Sequence, residues 1–336
     1  MIEYEKKEFD FIKEKREEGL SFQEIADLCN EKFHKKETIR SQIAIERKCN
    51  RNYIKKLSDF TEKAVSIAEQ IQELFQETEN IQSEIAYKIE TDAPYIAFMA
   101  GGDYHLEGSQ SAISKIKQHF EDIANTENLY YAFNGDGIDG FLGRLAESQL
   151  DTTFPPRIAR KMFFDFMTLI QDRLIALVIG DHELFAKSIA DYDHVSEICK
   201  RLKKAYLGTG GKIHLQVNDI EYDIVVRHRY RMNSSYNMFH ACQQYIRFED
   251  PQADIICIAH NHQSGYAEQE LLGKDRVFIR TGTFKISDRY HQRYSYLPQK
   301  SASVIPVLLL NTQEKEMFAV RSLDQARRFL NTVNAC

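Results

Sequence analysis

Nine residues of this chain sit at the ends of apolar runs, and their types could hold metal. "FMAGGDYH" closes on Asp103 and His105, and "YYAFNGDGID" on Asp136, with Asp139 three residues later. "ALVIGDHE" closes on Asp181 and His182, "DIVVRH" on His228, and "ICIAHNH" on His260 and His262. Apolar runs of this kind read as buried strands. In an open α/β sheet, ligand sites gather beyond the carboxyl ends of the strands. Carboxylates and imidazoles converging there, with no thiolate among them, suit a divalent ion of borderline hardness. Mn, Fe, Zn and Co all accept mixed nitrogen and oxygen ligands. The candidate ligands exceed what one ion needs and imply two.

The series D-x-H, G-D-x-x-D, G-[N/D]-H-E, H and H-x-H, in that order, resembles the calcineurin-like metallophosphoesterase superfamily. It spans about residues 95 to 290, and "RTGTF" around Gly282 resembles the glycine turn after the family's last motif. The resemblance implies an α/β fold, a four-layer αββα sandwich, that hydrolyses phosphate esters at two divalent metal ions. Mn²⁺ is the first expectation, with Fe, Zn, Co or Mg as alternatives. It implies that Asp103, His105 and His262 hold one ion and that Asp181, His228 and His260 hold the other, with Asp136 bridging. A metal-bound hydroxide would then attack phosphorus. His182 would assist the leaving oxygen, and Asp139 would orient His182.

His228 has rivals in His214 and His240, but these fall inside an expected strand and an expected helix. Arg227 and Arg229 flank His228 and, by strand alternation, face away from it; phosphate binding and plain surface charge both fit them. His34, His119, His194 and His291 read as structural or surface residues. Glu183 either begins the next helix or supports the site from behind.

One candidate ligand departs from the family pattern. Asp181 stands where that pattern has Asn. Two divalent ions, Asp103, Asp136 and hydroxide leave a surplus of one positive charge with an amide and none with Asp181. Either Asp181 binds the second ion more tightly at the expense of phosphate attraction, or it is protonated and mimics the amide. Gly140 stands where phosphoprotein phosphatases carry Arg, which argues against a protein phosphatase.

From about residue 92 strands alternate with helices, through "SAISKIKQHFEDIAN", "RIARKMFFDFMTLIQDRL" and "NMFHACQQYIRF", to the strands "SVIPVLLLN" and "EMFAVRSL". This is an α/β pattern with mixed sheets. The expected divisions are a catalytic domain over 92–318 and a closing helix over 319–336. Before them come a long helical linker over 53–91 and a helix-turn-helix-like region over 1–52.

In that first region "GLSFQEIADLCNEKF" offers Ser21 and Glu24 as a capping box, with Ile25, Leu28, Cys29 and Phe33 on one face. With "ETIRSQI" it resembles the tri-helical DNA-binding units of sigma-factor and Myb-like type. From Lys35 to Lys56 eight basic residues face two acids, which supports phosphate contact. Lys35, Lys36, Arg40, Arg47, Lys48 and Arg51 are the candidate nucleic-acid contacts. The other reading is a protein-docking bundle. Residues 53–90 lack Gly and Pro, and Leu57, Phe60, Ala64, Ile67, Ile71, Leu74, Ile81 and Ile85 follow a heptad that only Thr78 interrupts. Such a seam fits a coiled coil with a second copy of the chain, or packing on the next domain.

A headpiece of this kind on a phosphoesterase core makes DNA the expected partner and nucleic-acid phosphodiesters the expected substrate. The alternatives are a small-molecule phosphodiesterase or phosphatase recruited by its headpiece, and a DNA-binding regulator whose metal domain is a sensor. The net charge of −6 over 336 residues excludes a globally basic coat. Six scattered cysteines without a CxxC pair argue for a reducing compartment. No apolar run is long enough to span a membrane, so the expectation is a soluble cytoplasmic protein with no membrane partner.

Overall fold

The structure, a computed structural model, describes residues 6–35, 40–79, 81–140, 152–286 and 303–334; side chains at 51–59 and 72–79 are outside the description. The chain divides into two compact units, Met1–Glu79 and Asn80–Cys336.

The first unit holds three helices, α1 (Lys6–Glu17), α2 (Phe22–Phe33) and α3 (Gln42–Glu79). The capping box forms as the sequence implies: the Glu24 N–H donates to Ser21 Oγ, and the Ser21 N–H donates to the Glu24 carboxylate. Ile12, Ile25, Ala26, Cys29 and Ile45 make a small core.

Arg40 corrects one expectation. It is 4% exposed, and its guanidinium donates two bonds to Glu8, from Nε at 2.6 Å and from Nη2 at 2.7 Å. Its N–H donates to Asn30 Oδ1. Arg40 therefore ties α1 to the start of α3 and presents no charge to a phosphate. Lys35 and Arg47 are exposed, and Lys48 is half-buried over the Phe9 ring. Lys36 and the Arg51 side chain lie outside the described residues.

The expected boundary at residue 52 is absent. With no Gly or Pro to break it, one helix runs from Gln42 to Glu79. It ends sooner than the heptad implies, and Glu84–Ile89, expected as helix, is strand β1 of the second unit. Ile81 and Ile85 thus leave the seam. Phe60, Ile67 and Ile71 on α3 are exposed.

In the second unit the further strands are β2 (Tyr95–Gly101), β3 (Leu129–Asn134), β4 (Leu174–Val178), β5 (Ala205–Tyr206), β6 (Gly210–Val217) and β7 (Ile220–Arg227). They are followed by β8 (Ile255–Ile258), β9 (Ser264–Leu271), β10 (Lys274–Thr281), β11 (Val307–Asn311) and β12 (Met317–Val320). The helices are α4 (Ile113–Ala124), α5 (Pro156–Leu169), α6 (Asp181–Ala190), α7 (His194–Leu202), α8 (His240–Phe248) and α9 (Leu323–Val333).

Two six-stranded mixed sheets form, in the orders β12-β11-β2-β3-β4-β5 and β1-β6-β7-β8-β10-β9. Side-chain alternation builds the layers. Ile96 and Phe98 of β2 face Ile213, Ile224 and Ile255 of the other sheet. Ala97 and Met99 face Phe120 of α4, Phe163 of α5 and Leu330 of α9. On the far side, Val225, Ile256 and Phe278 pack on Cys242 and Ile246 of α8. The result is the expected four-layer αββα sandwich. β1 and β12 with α9 belong to it, so the unit is wider at both ends than 92–318.

β2, β3 and β4 are mutually parallel, as are β7 and β8 in the facing sheet. The chemically interesting residues follow the carboxyl ends of these five strands, so the sandwich gathers them at one edge. Strand β9 escaped the sequence reading because it is a polar edge strand paired only with β10.

Arg40→Ala should leave buried Glu8 with His34 alone as its basic partner. The expected cost to the first unit is about 3 kcal/mol, read as an earlier urea midpoint of its helical signal.

Candidate metal centre

The loop after β3 carries Asp136, and two buried glutamates hold it. Glu183 accepts from the N–H groups of Asp136 (2.9 Å), Gly137 (2.8 Å) and Gly180 (3.0 Å). Glu107 accepts from the N–H groups of Asp139 (2.9 Å) and Gly140 (2.7 Å). Glu183 therefore does both things the sequence allowed: it lies in the first turn of α6 and supports the site from behind. Burial and the Asp136 carboxylate push its pKa up to about 8, against the pull of the backbone N–H groups. Glu107, two residues beyond His105 and fully buried, was missed by sequence reasoning, because no motif marks it.

Close backbone approach explains the glycines here. A Cβ on Gly180 would lie 2.2 Å from the Asp136 nitrogen. Gly135 has φ +83°, and a Cβ there would meet the His228 ring at 2.5 Å. Asp103, His105, Asp136, His260 and His262 also adopt positive φ. Such backbone costs about 1–3 kcal/mol per residue and persists only where the surroundings impose it.

Three groups of potential ligands result. Asp103, His105 and His262 form one, and Asp136, His228 and His260 another, each with ligand atoms within 4.8 Å of one another. His262 Nε2 lies 3.3 Å from Asp103 Oδ1 and 3.0 Å from His105 Nε2. His228 Nε2 lies 3.1 Å from Asp136 Oδ2. The third group is His105, Asp139 and His182.

Asp181 stands apart from these trios but adjoins the second. Its Oδ2 lies 3.6 Å from His260 Nδ1 and accepts from Arg229 Nη1 at 2.9 Å. Arg229 thus turns back towards the site despite strand alternation, because β7 has already ended at Arg227.

The surroundings select the ligand atoms. His228 Nδ1 donates to the Asn134 carbonyl at 2.8 Å, which leaves Nε2 for the centre. His105 Nδ1 lies 2.7 Å from Asp139 Oδ1, which fixes that ring in the same way. His182 Nδ1 donates to the Asp139 main-chain carbonyl at 2.9 Å, and the carboxylate is further off at 3.4 Å. The Asp139 carboxylate therefore orients His105 first, and its carbonyl orients His182. Lys285, also missed from the sequence, is buried and donates to Asp139 Oδ1 at 3.2 Å.

These residues fit divalent cations by their unfinished bonding. Asp103 Oδ1 and His228 Nε2 are buried and have no hydrogen-bond partner among the described residues. Orphaned buried polar atoms of this kind are costly. Here both point at neighbours that are themselves ligand types.

Electrostatics tells the same story. Burial opposes charge on His105, yet Asp139 and Asp103 push it up to about 10. Burial likewise opposes charge on His228, and Asp136 pushes it up to about 10. Burial would raise Asp103 and Asp136, but the neighbouring imidazoles hold both well below the usual carboxylate range. Without metal, protons on these rings take the place of cationic charge. His119 and His194 are buried away from these trios, and burial lowers them to about 3 and about 4. His214 pairs with Asp223 on β7, and His34 with Glu8. His291 lies outside the described residues.

No family model matches the chain, and no curated protein matches it. Among solved structures it is similar to an uncharacterised Streptococcus pneumoniae protein described as a predicted phosphoesterase, at 10% identity and a TM-score of 0.31. That match covers 68% of this chain and 98% of the other. It is also similar to a Staphylococcus aureus protein described as a candidate 5′-nucleotidase, at 12% identity and a TM-score of 0.38, over 71% of this chain and 57% of that one. A Thermotoga maritima protein is similar at 10% identity and a TM-score of 0.28, over 68% of this chain and 98% of that one. At these scores the reading of the site rests on its own residues.

Two outcomes follow. Because both raised histidines must lose a proton to ligate, cation affinity should climb with pH from neutrality towards about 10. Calorimetry with Mn²⁺ in buffers of different ionisation enthalpy at pH 7.5 should report release of about two protons. Glu183→Gln would set an amide NH₂ against backbone N–H groups. It should cost about 1–3 kcal/mol in thermal unfolding.

Proposed function

We propose that this chain is a metal-dependent phosphoesterase that cleaves phosphodiester bonds, with nucleic acid as substrate. The observation that carries the reading is the pair of Asp/His/His trios whose inward atoms Asp103 Oδ1 and His228 Nε2 have no hydrogen-bond partner among the described residues. Asp103, His105 and His262 would hold one cation; Asp136, His228 and His260 would hold the other, with Asp181 as a further ligand if it parts from Arg229. Asp136 offers Oδ2 towards His228, while its Oδ1 accepts from the His182 N–H. When bound, two such cations supply Lewis-acid charge and lower the pKa of a water molecule. Mn²⁺ suits this donor set, as do Fe, Zn and Co.

The chain's own groups divide the remaining work. The buried carboxylates form the floor, and His182, His260 and Asp181, each half-buried, form a rim that a phosphodiester can reach. His182 commits Nδ1 to the Asp139 carbonyl, which leaves Nε2 for the substrate. In the protonated ring that nitrogen can give its proton to the departing oxygen. Asp139 and Lys285 keep His105 in place.

The nucleic-acid reading adds the headpiece. Lys35 and Arg47 remain exposed there, and Lys48 partly so. Exposed Phe60, Ile67 and Ile71 on α3 favour a second copy of the chain as partner. Loss of salt-sensitive DNA binding in Arg47→Ala/Lys35→Ala would support the headpiece role; unchanged binding would favour the small-molecule alternative.

His182→Ala should cut Mn²⁺-dependent hydrolysis of bis(p-nitrophenyl) phosphate by about a hundred- to ten-thousandfold. Folding and metal content should be retained. Full activity in that variant would remove His182 from the chemistry. No hydrolysis by the wild-type protein with any of these metals would favour the sensor alternative.

A further inference from the structure

Beside the metal centre lies a second feature that the reaction does not use. A cavity of about 360 Å³ opens between the start of α6 and the chain after β7. Its walls include Asp181, Thr209, Arg227, His228, Arg229 and Arg231. Asp181 and His228 belong to both places, so the cavity is continuous with the candidate centre.

Its charge is unusual for this acidic chain. Three arginines line it against one carboxylate, Asp181. Counting Glu249, which accepts from Arg231 Nη2 at 3.0 Å, one positive charge is still in excess. Arg227 Nε is buried with no hydrogen-bond partner among the described residues. The Arg227 guanidinium stacks over Tyr245 at 5.8 Å, which holds it in place. The Arg229 and Arg231 side chains are 60% and 61% exposed, and exposed pairs such as theirs with Asp181 and Glu249 are weak. Each guanidinium carries five donors, so one or two bonds to a carboxylate leave others for a ligand. Planar forks of this kind match phosphate oxygens in pairs.

We infer that this cavity is a subsite for a second phosphate of the same substrate, set beside the phosphate at the metals. The inference rests on the phosphodiesterase reading and narrows its substrate to a chain with successive phosphates, such as an oligonucleotide. A phosphomonoester or a phosphodiester with a single phosphate would leave the three arginines unused. The neighbouring basic cavity on α5 and α7, lined by Arg160, Lys161 and Arg201, shares no residue with the centre. It therefore serves as the control.

The test uses the metal-free full-length protein and two probes: a thymidine dinucleotide with its 5′-terminal phosphate, and the same dinucleotide without it. Calorimetry at low salt should find the phosphorylated probe bound about tenfold more tightly. The advantage should fall to about twofold or less in Arg227→Gln and in Arg231→Ala, and should persist in Arg201→Ala. Arg231 is exposed, so its variant covers the case in which Arg227→Gln fails to fold. Equal affinity for the two probes, or an advantage kept by both arginine variants, would overturn the inference. Because metal is absent, the result is independent of hydrolysis. A protein that failed to cleave bis(p-nitrophenyl) phosphate would lose the phosphodiesterase reading while this binding result stood or fell by itself.

Discussion

Two buried glutamates outside the candidate ligand groups hold this site together. Glu183 and Glu107 between them receive the backbone N–H groups of residues 136, 137, 139 and 140. This glycine-rich loop sends one apolar side chain, Ile138, into the core, and the two glutamates fix its backbone. Pinned at both ends, it presents Asp136 to the second trio and Asp139 to His105. Glu183 also accepts from the Gly180 N–H, so the β3 and β4 loops share one anchor. Asp136 keeps its positive φ within this anchored loop.

That rigidity serves an electrostatic purpose. The floor of the site gathers carboxylates that burial alone would neutralise. Imidazoles beside them keep the carboxylates charged, and the carboxylates in turn keep two of the imidazoles protonated. The arrangement is a store of negative charge waiting for cations, with protons as substitutes. Arg229 extends the same logic to Asp181. Where an amide would need no partner, the carboxylate has found an arginine.

Much of this was legible in the sequence because strand ends are local signals. An apolar run followed by ionisable residues, with a glycine between them after β2, β3 and β4, located the candidate-site loops of β2, β3, β4, β7 and β8, and the layers followed from their alternation with helices. What was hidden depended on partners distant in sequence. Arg40 looked like a phosphate contact from its neighbours, but Glu8, 32 residues away, buries its charge. Asp139 looked like the orienter of His182, but His105 competes for its carboxylate and wins by distance. Glu107 and Lys285 carried no pattern at all. The heptad after residue 80 was a coincidence of apolar spacing, which a strand of the second unit uses differently. The proposals of DNA binding and of pairing of two chains rest on Lys35 and on the exposed charge and apolar residues of α3.

The central claim is that two cations occupy the two trios, and anomalous diffraction from crystals grown with Mn²⁺ tests it most directly. Two peaks are expected, one within ligand distance of Asp103, His105 and His262 and the other of Asp136, His228 and His260. The same map would settle whether Asp181 releases Arg229 to join the second ion. A single peak, or none at either trio, would contradict the account.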